Sequence, residues 1–558
     1  MRKPKLLTLV LVLALLQATT ATHAQRKSVK SKTAKEAAAR GVGLITAAQL
    51  KDYLYFIASD EMEGRDTPSR GLDTTAKFIA MSLSRWGLKP AGGDGTYFQR
   101  IALTSGQLDS AATHAEINGQ RFALGEDFLT TPVAGGFSGP LVYVGRGWVV
   151  KSKNIDSYNG LDVKDKIIVV FGEGLPQGLT RSDLTGKRGE DWANPVLYAE
   201  QHGARGVLVI PDQRMLDNWE QARQRTLVRG ATTVEKFQSQ NAPVPSIWLA
   251  AKMADALFQG EKYDVRTLVT RGLSGEPVEP FELSANKKVS FSIVAKPEKL
   301  TTQNVVALFE GSDPMLKDEY VALGAHYDHI GDATKGGQCP PVNGDTICNG
   351  ADDDGSGTTA LLAMAEALSH AKMRPKRSVL FIWHAGEEKG LWGSRYFTEY
   401  PTVPLDHIVT QVNIDMIGRS KKQGDTNPRN RELSGPNEIY VIGSKMMSTE
   451  LGELSETVNK SFLNLTFNYT YDNPADPNRF FFRSDHYNYA RKGIPIIFYF
   501  DGVHEDYHRP GDEPQKIDYQ KMEKVTRTIY MTVWEIANRP ERPRVDKELP
   551  GLLQNRSQ

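Results

Sequence analysis

Three consecutive carboxylates constrain this chain more than any other feature. Residues 349–357 read N-G-A-D-D-D-G-S-G. The apolar run 321–325 before them predicts a buried strand, and the pattern over 358–368 after them predicts a helix. Adjacent like charges need a counter-charge, and open α/β sheets bind ligands where strands lead into helices. We therefore expect this acidic turn to belong to a cation site.

Other polar side chains follow predicted strands in the same way. The strands are 321–325, 379–383, 408–414 and 494–500, and the residues are His326 with Asp328, Glu387 with Glu388, Asp415, and His508. Imidazole and carboxylate without thiolate suit Zn²⁺ or a similar divalent ion. Two ions that share one carboxylate use five ligands and leave positions for water, so this set with its spare glutamate favours two metals.

Five motifs occur in a fixed order along the chain. They are H-x-D at 326–328, G-A-D-D-D-G-S-G at 350–357, G-E-E-x-G at 386–390, N-x-D-M at 413–416 and Y-H-x-x-x-D-E at 507–513. In this order they resemble the co-catalytic dizinc exopeptidases of the bacterial leucyl aminopeptidase, aminopeptidase S and aminopeptidase Y type, and more distantly glutamate carboxypeptidase II. The resemblance implies a three-layer α/β/α mixed-sheet domain with two zinc ions per chain.

The same resemblance implies a role for each metal-site residue. The ligands of the two ions would be His326, Asp353 and Asp415 for one, and Asp353, Glu388 and His508 for the other. Asp353 would bridge them, and the peptide bond from Asp353 to Asp354 would be cis. The flanking residues Asp352 and Asp354 could cap the turn or support the ligands.

Catalytic roles fall on two further residues. Because Glu388 binds metal in this assignment, its neighbour Glu387 is free to act as general base and proton carrier. Tyr507 matches the tyrosine that in this family donates to the tetrahedral oxyanion. Asp328 is well placed to accept a hydrogen bond from His326 and so to fix the ring.

The first residues predict export. Residues 1–24 combine basic residues, the short apolar run 6–16 and small residues at the end, which is typical of a cleavable secretory signal. Residues 25–42 lack large apolar side chains and predict a solvated tether. We expect a periplasmic or secreted protein with no stable membrane anchor after signal removal; an uncleaved anchor is the alternative.

Composition excludes several classes of partner. The 558-residue chain carries 68 basic and 67 acidic residues, a net charge of +1. This balance argues against nucleic acid and anionic lipid as partners, and peptides are the expected substrates. The oligomeric state is not predicted.

The chain divides into two structural units. Residues 43–117 and 281–545 predict two parts of one peptidase domain, followed by a tail at 546–558. Between them, 118–280 predict a β-rich insert, and its segments 162–170 and 198–210 resemble a protease-associated domain. Such an insert is either a lid over the substrate or a structural filler.

The only two cysteines lie in the loop between His326 and the acidic turn. In an exported protein, Cys339 and Cys348 favour a local disulfide over two free thiols. Zinc binding by them is disfavoured, because the nearby imidazoles and carboxylates already form a full set.

Four functions compete. The first is an aminopeptidase that removes N-terminal residues. The second is a glutamate-carboxypeptidase-like enzyme or dipeptidase, which needs converging arginines, with Arg419, Arg479 and Arg483 as candidates. The third is an inactive receptor or binding module on the same fold, which the complete ligand set disfavours. A single-zinc glutaminyl cyclase is disfavoured for the same reason.

Overall fold

The computed structural model describes residues 39–548 apart from 173, 181–182, 238–242 and 277. The predicted signal, 1–24, lies outside the described residues, as do most of the predicted tether and the last ten residues of the tail. The first described residues contact the last helix. The Arg40 guanidinium pairs with Glu535 at 2.6 Å, and the Tyr530 hydroxyl donates to the Arg40 carbonyl.

A ten-stranded mixed sheet, the central sheet, organises the fold. Its four middle strands are parallel and lie in the order Ser378–His384, Tyr320–His326, Ile408–Ile414 and Ile496–Phe500. Beside the first lie Ala295–Phe309, Phe98–Leu108 and Ala231–Val234, with Lys89–Pro90 also paired to Ala295–Phe309; beside the last lie Glu438–Ile442 and Thr466–Asn468. Because the middle strands are parallel, their carboxyl ends share one edge.

Alternating residues of these strands enter two different cores, as the pleat of a strand requires. Phe381 and Trp383 pack into one core, whereas Leu380 and Ile382 pack into the other. The first core contains the helices Ala47–Ile57, Arg70–Arg85, Gly357–His370, Thr449–Ser461 and Tyr519–Asn538, and the second contains Trp392–Glu399, Ser444–Met447 and His486–Ala490. The predicted three-layer α/β/α architecture is confirmed.

Local sequence explains where the longer helices begin. The side chains of Ser69, Ser448 and Asp518 accept the N–H groups that the first turns of Arg70–Arg85, Thr449–Ser461 and Tyr519–Asn538 leave without a partner. None of the helices in the described part of the chain has the length and apolarity needed to cross a membrane.

Residues 109–294, here called the inserted unit, form a separate core of their own. One sheet has the order Phe281–Glu282, Leu141–Tyr143, Ile167–Phe171, Gly206–Ile210, Ser246–Leu249 and Phe128–Thr130; another has the order Gln120–Ala123, His114–Ile117, Val289–Ile293 and Gly135–Ser138. A small third sheet joins Trp192–Ala193, Val149–Val150 and Ile155–Asp156. The helices are Pro195–His202, Gln213–Asp217, Trp219–Gln224, Ala251–Phe258 and Val265–Ser274.

The inserted unit is wider than the predicted segment 118–280. Its strands His114–Ile117 and Val289–Ile293 lie outside those bounds and pair with each other. Another of its strands, Ala231–Val234, pairs with Phe98–Leu108 and becomes an outer strand of the central sheet. The unit is therefore joined to the central sheet by hydrogen bonds as well as by the chain. Its likeness to a protease-associated domain stays a prediction.

The loop before the acidic turn is closed covalently. Cys339 and Cys348 form a disulfide, as predicted, and both residues are fully buried. Beside them Gly331–Asp332 and Ile347–Cys348 pair as a two-stranded ribbon. The disulfide thus holds together the two arms of the loop that leads into the acidic turn.

Arg65 connects the N-terminal helices to that turn. Its guanidinium is fully buried and donates, over 2.7–2.9 Å, to the main-chain carbonyls of Ile57, Tyr327, Asn349 and Gly350. Burial lowers the pKa of Arg65 only to about 10, since Asp328 and Asp353 oppose the fall, so the side chain is charged at neutral pH. One cation therefore satisfies carbonyls from three separate segments.

Replacing this cation should destabilise the protein strongly. In Arg65→Met, four buried carbonyls lose their donor, and we expect a loss of roughly 3–5 kcal/mol in unfolding free energy. The matched control Arg85→Met, at an exposed helix end, should change stability by less than about 0.5 kcal/mol. Urea unfolding monitored by circular dichroism measures both; equal, small effects would contradict the role of Arg65.

Candidate metal centre

The shared edge of the parallel strands brings the predicted site residues together. His326 is the last residue of Tyr320–His326, and Asp415 directly follows Ile408–Ile414. Glu387 and Glu388 lie in the turn after Ser378–His384, and His508 lies in the segment after Ile496–Phe500. Residues far apart in sequence therefore meet because the sheet places four strand ends side by side.

His326, Asp353 and Asp415 form a first cluster. The His326 Nε2 atom lies 3.2 Å from Asp353 Oδ1 and 3.7 Å from Asp415 Oδ2. All three residues are buried, and one ligand atom from each lies within 4.8 Å of the others. Two atoms that each lie about 2.0–2.1 Å from a tetrahedral ion are roughly 3.3 Å apart. The spacing of the cluster suits one metal ion.

Asp353, Glu388 and His508 form a second cluster. The His508 Nε2 atom lies 3.2 Å from Asp353 Oδ2 and 3.2 Å from Glu388 Oε2. Asp353 therefore faces the first cluster with Oδ1 and the second with Oδ2. A single carboxylate with one oxygen directed to each cluster is the arrangement that a bridging ligand requires.

Several buried atoms of the two clusters support a cation on independent grounds. Among the described residues, Asp353 Oδ2, Glu388 Oε1 and His508 Nε2 are buried and make no hydrogen bond of good geometry, although polar atoms of the two clusters lie 2.9–3.2 Å away. Buried polar atoms in folded proteins are nearly always paired. A borderline divalent ion such as Zn²⁺ binds these nitrogen and oxygen donors, so the residues present fit the metal that the sequence implied.

Sequence analysis did not single out His329, which also lies here. Its Nδ1 atom is 2.9 Å from Glu388 Oε1 and 3.7 Å from Asp353 Oδ2, and the ring is fully buried. His329, Asp353 and Glu388 could together hold a metal ion. The available signal was its place directly after H-x-D, where the chain leaves the same strand end.

Side chains of the acidic turn bind the segment that follows Asp415. Asp352 Oδ1 accepts the Gly418 N–H at 2.7 Å, Asp354 Oδ1 accepts the Met416 N–H at 3.2 Å, and Ser356 Oγ accepts the Ile417 N–H at 2.9 Å. Asp354 Oδ1 also accepts the N–H of Gly357, where the next helix begins. These contacts fix Asp415 relative to Asp353, and the Asp353–Asp354 peptide bond is cis, as predicted.

Asp512, in the last motif, holds the turn from the other side. Its Oδ2 atom accepts the N–H groups of Asp352 and Asp353 at 3.0 and 3.1 Å. Burial and the nearby Asp352 raise the pKa of Asp512 to about 8, while Arg419 opposes the rise. The turn is therefore bound at its carbonyls by Arg65 and at its amides by Asp512.

The position of Asp328 differs from the prediction. The His326 Nδ1 atom lies 3.1 Å from the main-chain carbonyl of Asp328, whereas the carboxylate is 3.6 Å away. The carboxylate instead accepts the Thr67 hydroxyl at 3.1 Å and the Glu387 N–H at 3.2 Å. The main chain of Asp328 thus orients the imidazole, and its side chain positions the segment that carries Glu387.

Glu387 lines a narrow pocket together with Asp353 and Asp415 of the first cluster. This cavity of about 50 Å³, here called the apolar pocket, is lined by the carboxylates of Asp353, Glu387 and Asp415 and by the apolar side chains of Met416, Phe480, Phe498, Phe500 and Val503. Burial raises the pKa of Glu387 well above its usual value; Glu388 and Asp415 add to the rise, and His326 opposes it. Such a carboxylate is a stronger base than an exposed glutamate.

The remaining lining residues of this pocket are Arg483, Ser484 and Tyr507. The Tyr507 ring stacks on His508, with centroids 3.9 Å apart, and its hydroxyl lies 3.4 Å from an Arg483 nitrogen. Burial and the nearby carboxylates Asp353 and Glu388 raise the pKa of Tyr507 well above its usual value. The phenol is therefore a neutral hydrogen-bond donor at physiological pH.

The arginine cluster that a carboxypeptidase needs is partly committed elsewhere. Arg419 is buried; its guanidinium donates to Asp506 at 2.8 Å and contacts Asp512 at 3.5 Å. Arg479 stacks on Phe482, 4.6 Å from the ring centroid. Of the three candidates, only Arg483 is among the residues that line the apolar pocket.

Comparison with known proteins identifies the domain. Residues 304–533 match peptidase family M28. The metal-binding part of the chain is a domain of this family. Over 378 residues the chain is 26% identical to a probable zinc metalloprotease of Pyrenophora teres f. teres (strain 0-1), covering 63% of this chain and 72% of that protein. Over 115 residues it is 36% identical to aminopeptidase Y of Saccharomyces cerevisiae, covering 21% and 18% of the two chains.

A solved structure extends the likeness in fold over most of the chain. The aminopeptidase from Aneurinibacillus sp. strain AM-1 superposes with a TM-score of 0.52 at 16% sequence identity. The match covers 91% of this chain and 97% of that one. The similarity shows the fold, and it includes the inserted unit as well as the central sheet.

Removing divalent ions should destabilise the domain. The site collects several buried carboxylates, and a ligand that binds only the folded state adds about 2.7 kcal/mol when its free concentration is one hundred times Kd. We expect excess chelator to lower the melting temperature and zinc to restore it. Scanning calorimetry with parallel metal analysis tests this; an unchanged melting temperature after complete metal removal would contradict the assignment.

Proposed function

We propose that this M28 protein is a zinc aminopeptidase that hydrolyses the first peptide bond of its substrates. The observation that carries the proposal is the pair of nitrogen and oxygen clusters that share Asp353. Such a pair beside a half-buried glutamate that is not one of the assigned ligands suits the hydrolysis of an amide by activated water.

The proposed ligand sets follow the two clusters. One zinc ion is assigned to His326, Asp353 and Asp415, and the other to Asp353, Glu388 and His508. The geometry allows His329 to supply a further nitrogen to the second ion, together with Asp353 and Glu388. The unpaired buried atoms of these residues support two ions rather than one.

Two side chains of the protein, Glu387 and Tyr507, then take different parts in the reaction. When bound, zinc lowers the pKa of water towards about 7 and polarises the scissile carbonyl. Glu387 accepts a proton from the attacking water as its oxygen bonds to the carbonyl carbon. When the C–N bond breaks, Glu387 passes that proton to the departing amine. The Tyr507 hydroxyl donates to the carbonyl oxygen as negative charge develops there.

The shape of the site supports removal of a terminal residue. The apolar pocket is small, and beside its polar groups five of its lining side chains are aromatic or aliphatic, so it suits one side chain and not a longer chain. The commitment of Arg419 to Asp506 and Asp512 weakens the carboxypeptidase alternative. Because Glu387 and all five assigned ligands are present, an active enzyme is favoured over an inactive receptor on the same fold.

We also propose that the protein is exported. The disulfide between Cys339 and Cys348 supports an oxidising compartment, since such bonds are rare in reducing cytosol. The predicted signal segment lies outside the described residues and stays a prediction.

A substrate panel tests the proposed reaction. Zinc-loaded protein should hydrolyse leucyl-p-nitroanilide and free-amine dipeptides but not their N-acetylated forms. Cleavage restricted to N-acylated substrates would instead support the carboxypeptidase alternative. An absence of hydrolysis across the panel, with metal content verified, would contradict the enzyme assignment.

Changing the base should separate chemistry from metal binding. Glu387→Gln keeps the side-chain shape but cannot accept the proton, so we expect kcat to fall by about 10²–10⁴-fold with zinc content unchanged. Steady-state kinetics and elemental analysis on the same sample give both values. A metal-replete variant with near-normal kcat would remove Glu387 from this role.

Removing the shared carboxylate should release metal. Asp353→Ala takes one ligand from each cluster, and we expect the zinc content to fall from about two ions per chain towards none after dialysis. The exposed residue Asp406 provides a control, because Asp406→Ala should leave the content unchanged. Full zinc occupancy in Asp353→Ala would show that this carboxylate does not bridge.

A further inference from the structure

A second cavity adjoins the metal centre on the side of Glu388. Its volume is about 390 Å³, and its walls come from both structural units. Glu388, Lys389 and Trp392 belong to the peptidase domain, whereas Arg225 and Thr232 belong to the inserted unit. The inserted unit thus contributes a cation to a cavity that contains a proposed zinc ligand.

Arg225 is half-buried and carries no counter-charge. Within the described residues, no carboxylate or carbonyl accepts a hydrogen bond from its guanidinium, and burial lowers the pKa of Arg225 with no acidic neighbour to oppose the fall. By contrast, the neighbouring Lys389 pairs with Asp66 at 2.8 Å. Partial burial of an unpaired guanidinium costs free energy, which an anionic ligand would offset.

The segment that carries Arg225 is held in place at several points. Before it, the Trp219 indole donates to the Gly125 carbonyl at 3.2 Å, and the Gln221 amide donates to the Cys339 carbonyl at 3.3 Å. After it, the strand Ala231–Val234 pairs with Phe98–Leu108 of the central sheet. Arg225 is therefore positioned by contacts with the disulfide loop and the central sheet.

The two cavities are lined by different residues of the metal centre. Asp353, Glu387 and Asp415 line the apolar pocket, whereas the adjacent Glu388 lines the second cavity. A narrow pocket of about 50 Å³ suits the N-terminal side chain, whereas a cavity of about 390 Å³ has room for the rest of a short peptide. The part of the substrate that leaves after cleavage then faces Arg225.

We propose that Arg225 binds a carboxylate on the leaving part of the substrate, so that the enzyme prefers short peptides with an anionic group close to the scissile bond. The inference rests on the proposed aminopeptidase function. An α-carboxylate of a di- or tripeptide and an acidic side chain next to the cleaved bond share this chemistry. A planar guanidinium pairs with either through two parallel hydrogen bonds.

The decisive experiment compares charged and uncharged substrates, first with the wild-type enzyme and then with variants of Arg225. Leu-Gly and Leu-Gly-Gly are compared with their C-terminal amides, and Leu-Asp-amide with Leu-Asn-amide. In at least one pair, we expect the wild-type enzyme to have a kcat/KM about tenfold to a hundredfold higher for the substrate with the carboxylate than for the amide. The difference should come mainly from a lower KM. The pair that shows the preference identifies which carboxylate is bound.

Arg225→Gln should abolish that preference while leaving leucyl-p-nitroanilide hydrolysis, which offers no carboxylate, unchanged. Arg225→Lys keeps the charge without the planar fork and should retain part of the preference. The control Arg223→Gln, two residues away and already paired with Glu220, should retain all of it. The inference would be overturned if the wild-type enzyme had the same kcat/KM for the acid and the amide. It would also be overturned if Arg225→Gln lowered kcat/KM equally for both substrates.

A binding measurement keeps this result separate from the proposed function. Calorimetric titration of zinc-loaded Glu387→Gln with Leu-Gly-Gly and its amide reports carboxylate recognition without turnover. Tighter binding of the acid that Arg225→Gln removes in the same background supports the inference even if wild type hydrolyses nothing. Equal binding of acid and amide overturns it even if the enzyme is active.

Discussion

The buried, acidic turn is held in place by hydrogen bonds from several distant parts of the chain. Arg65 binds the carbonyls that lead into the turn, and Asp512 binds its amides. The carboxylates of Asp352 and Asp354 accept main-chain N–H groups of the segment after Asp415. The central carboxylate, Asp353, is directed towards His326 and His508. The costly burial of the turn thus leaves one aspartate with each oxygen facing a different cluster.

The same contacts connect distant parts of the chain to the site. Arg65 comes from the N-terminal helical region, Asp512 from the last motif, and the disulfide loop lies between His326 and the turn. Precise placement of metal ligands depends on such supporting contacts. The inserted unit joins this system through the strand Ala231–Val234 and through Gln221, and it brings Arg225 to a cavity beside Glu388. The role of the inserted unit can therefore be tested by replacing one side chain, Arg225.

Much of the site could be predicted because its signals are local. Each apolar run that ends in His, Asp or Glu predicts a strand whose carboxyl end carries a polar group, and parallel strands place such ends together. His329 was missed because it directly follows the H-x-D motif, in which His326 already completes a ligand set. The carboxylate of Asp328 was assigned to His326, yet the main-chain carbonyl is closer, because the side chain is held by Thr67 and Glu387. The residue types at this turn do not show whether the carbonyl or the carboxylate of Asp328 faces the His326 ring.

By itself, the sequence determined the four strand ends that carry the polar groups and favoured the disulfide, since strand periodicity and cysteine spacing depend on neighbours along the chain. The order of its motifs supplied the resemblance that implied the three-layer fold. Tertiary structure alone decided which buried charges are paired. Arg419 is bound by Asp506 and Asp512, Arg65 by four carbonyls, and Arg225 by no acceptor among the described residues. The reason is physical: a charge is free or committed according to what lies within a few ångströms of it, and in this fold those neighbours come from segments distant in sequence.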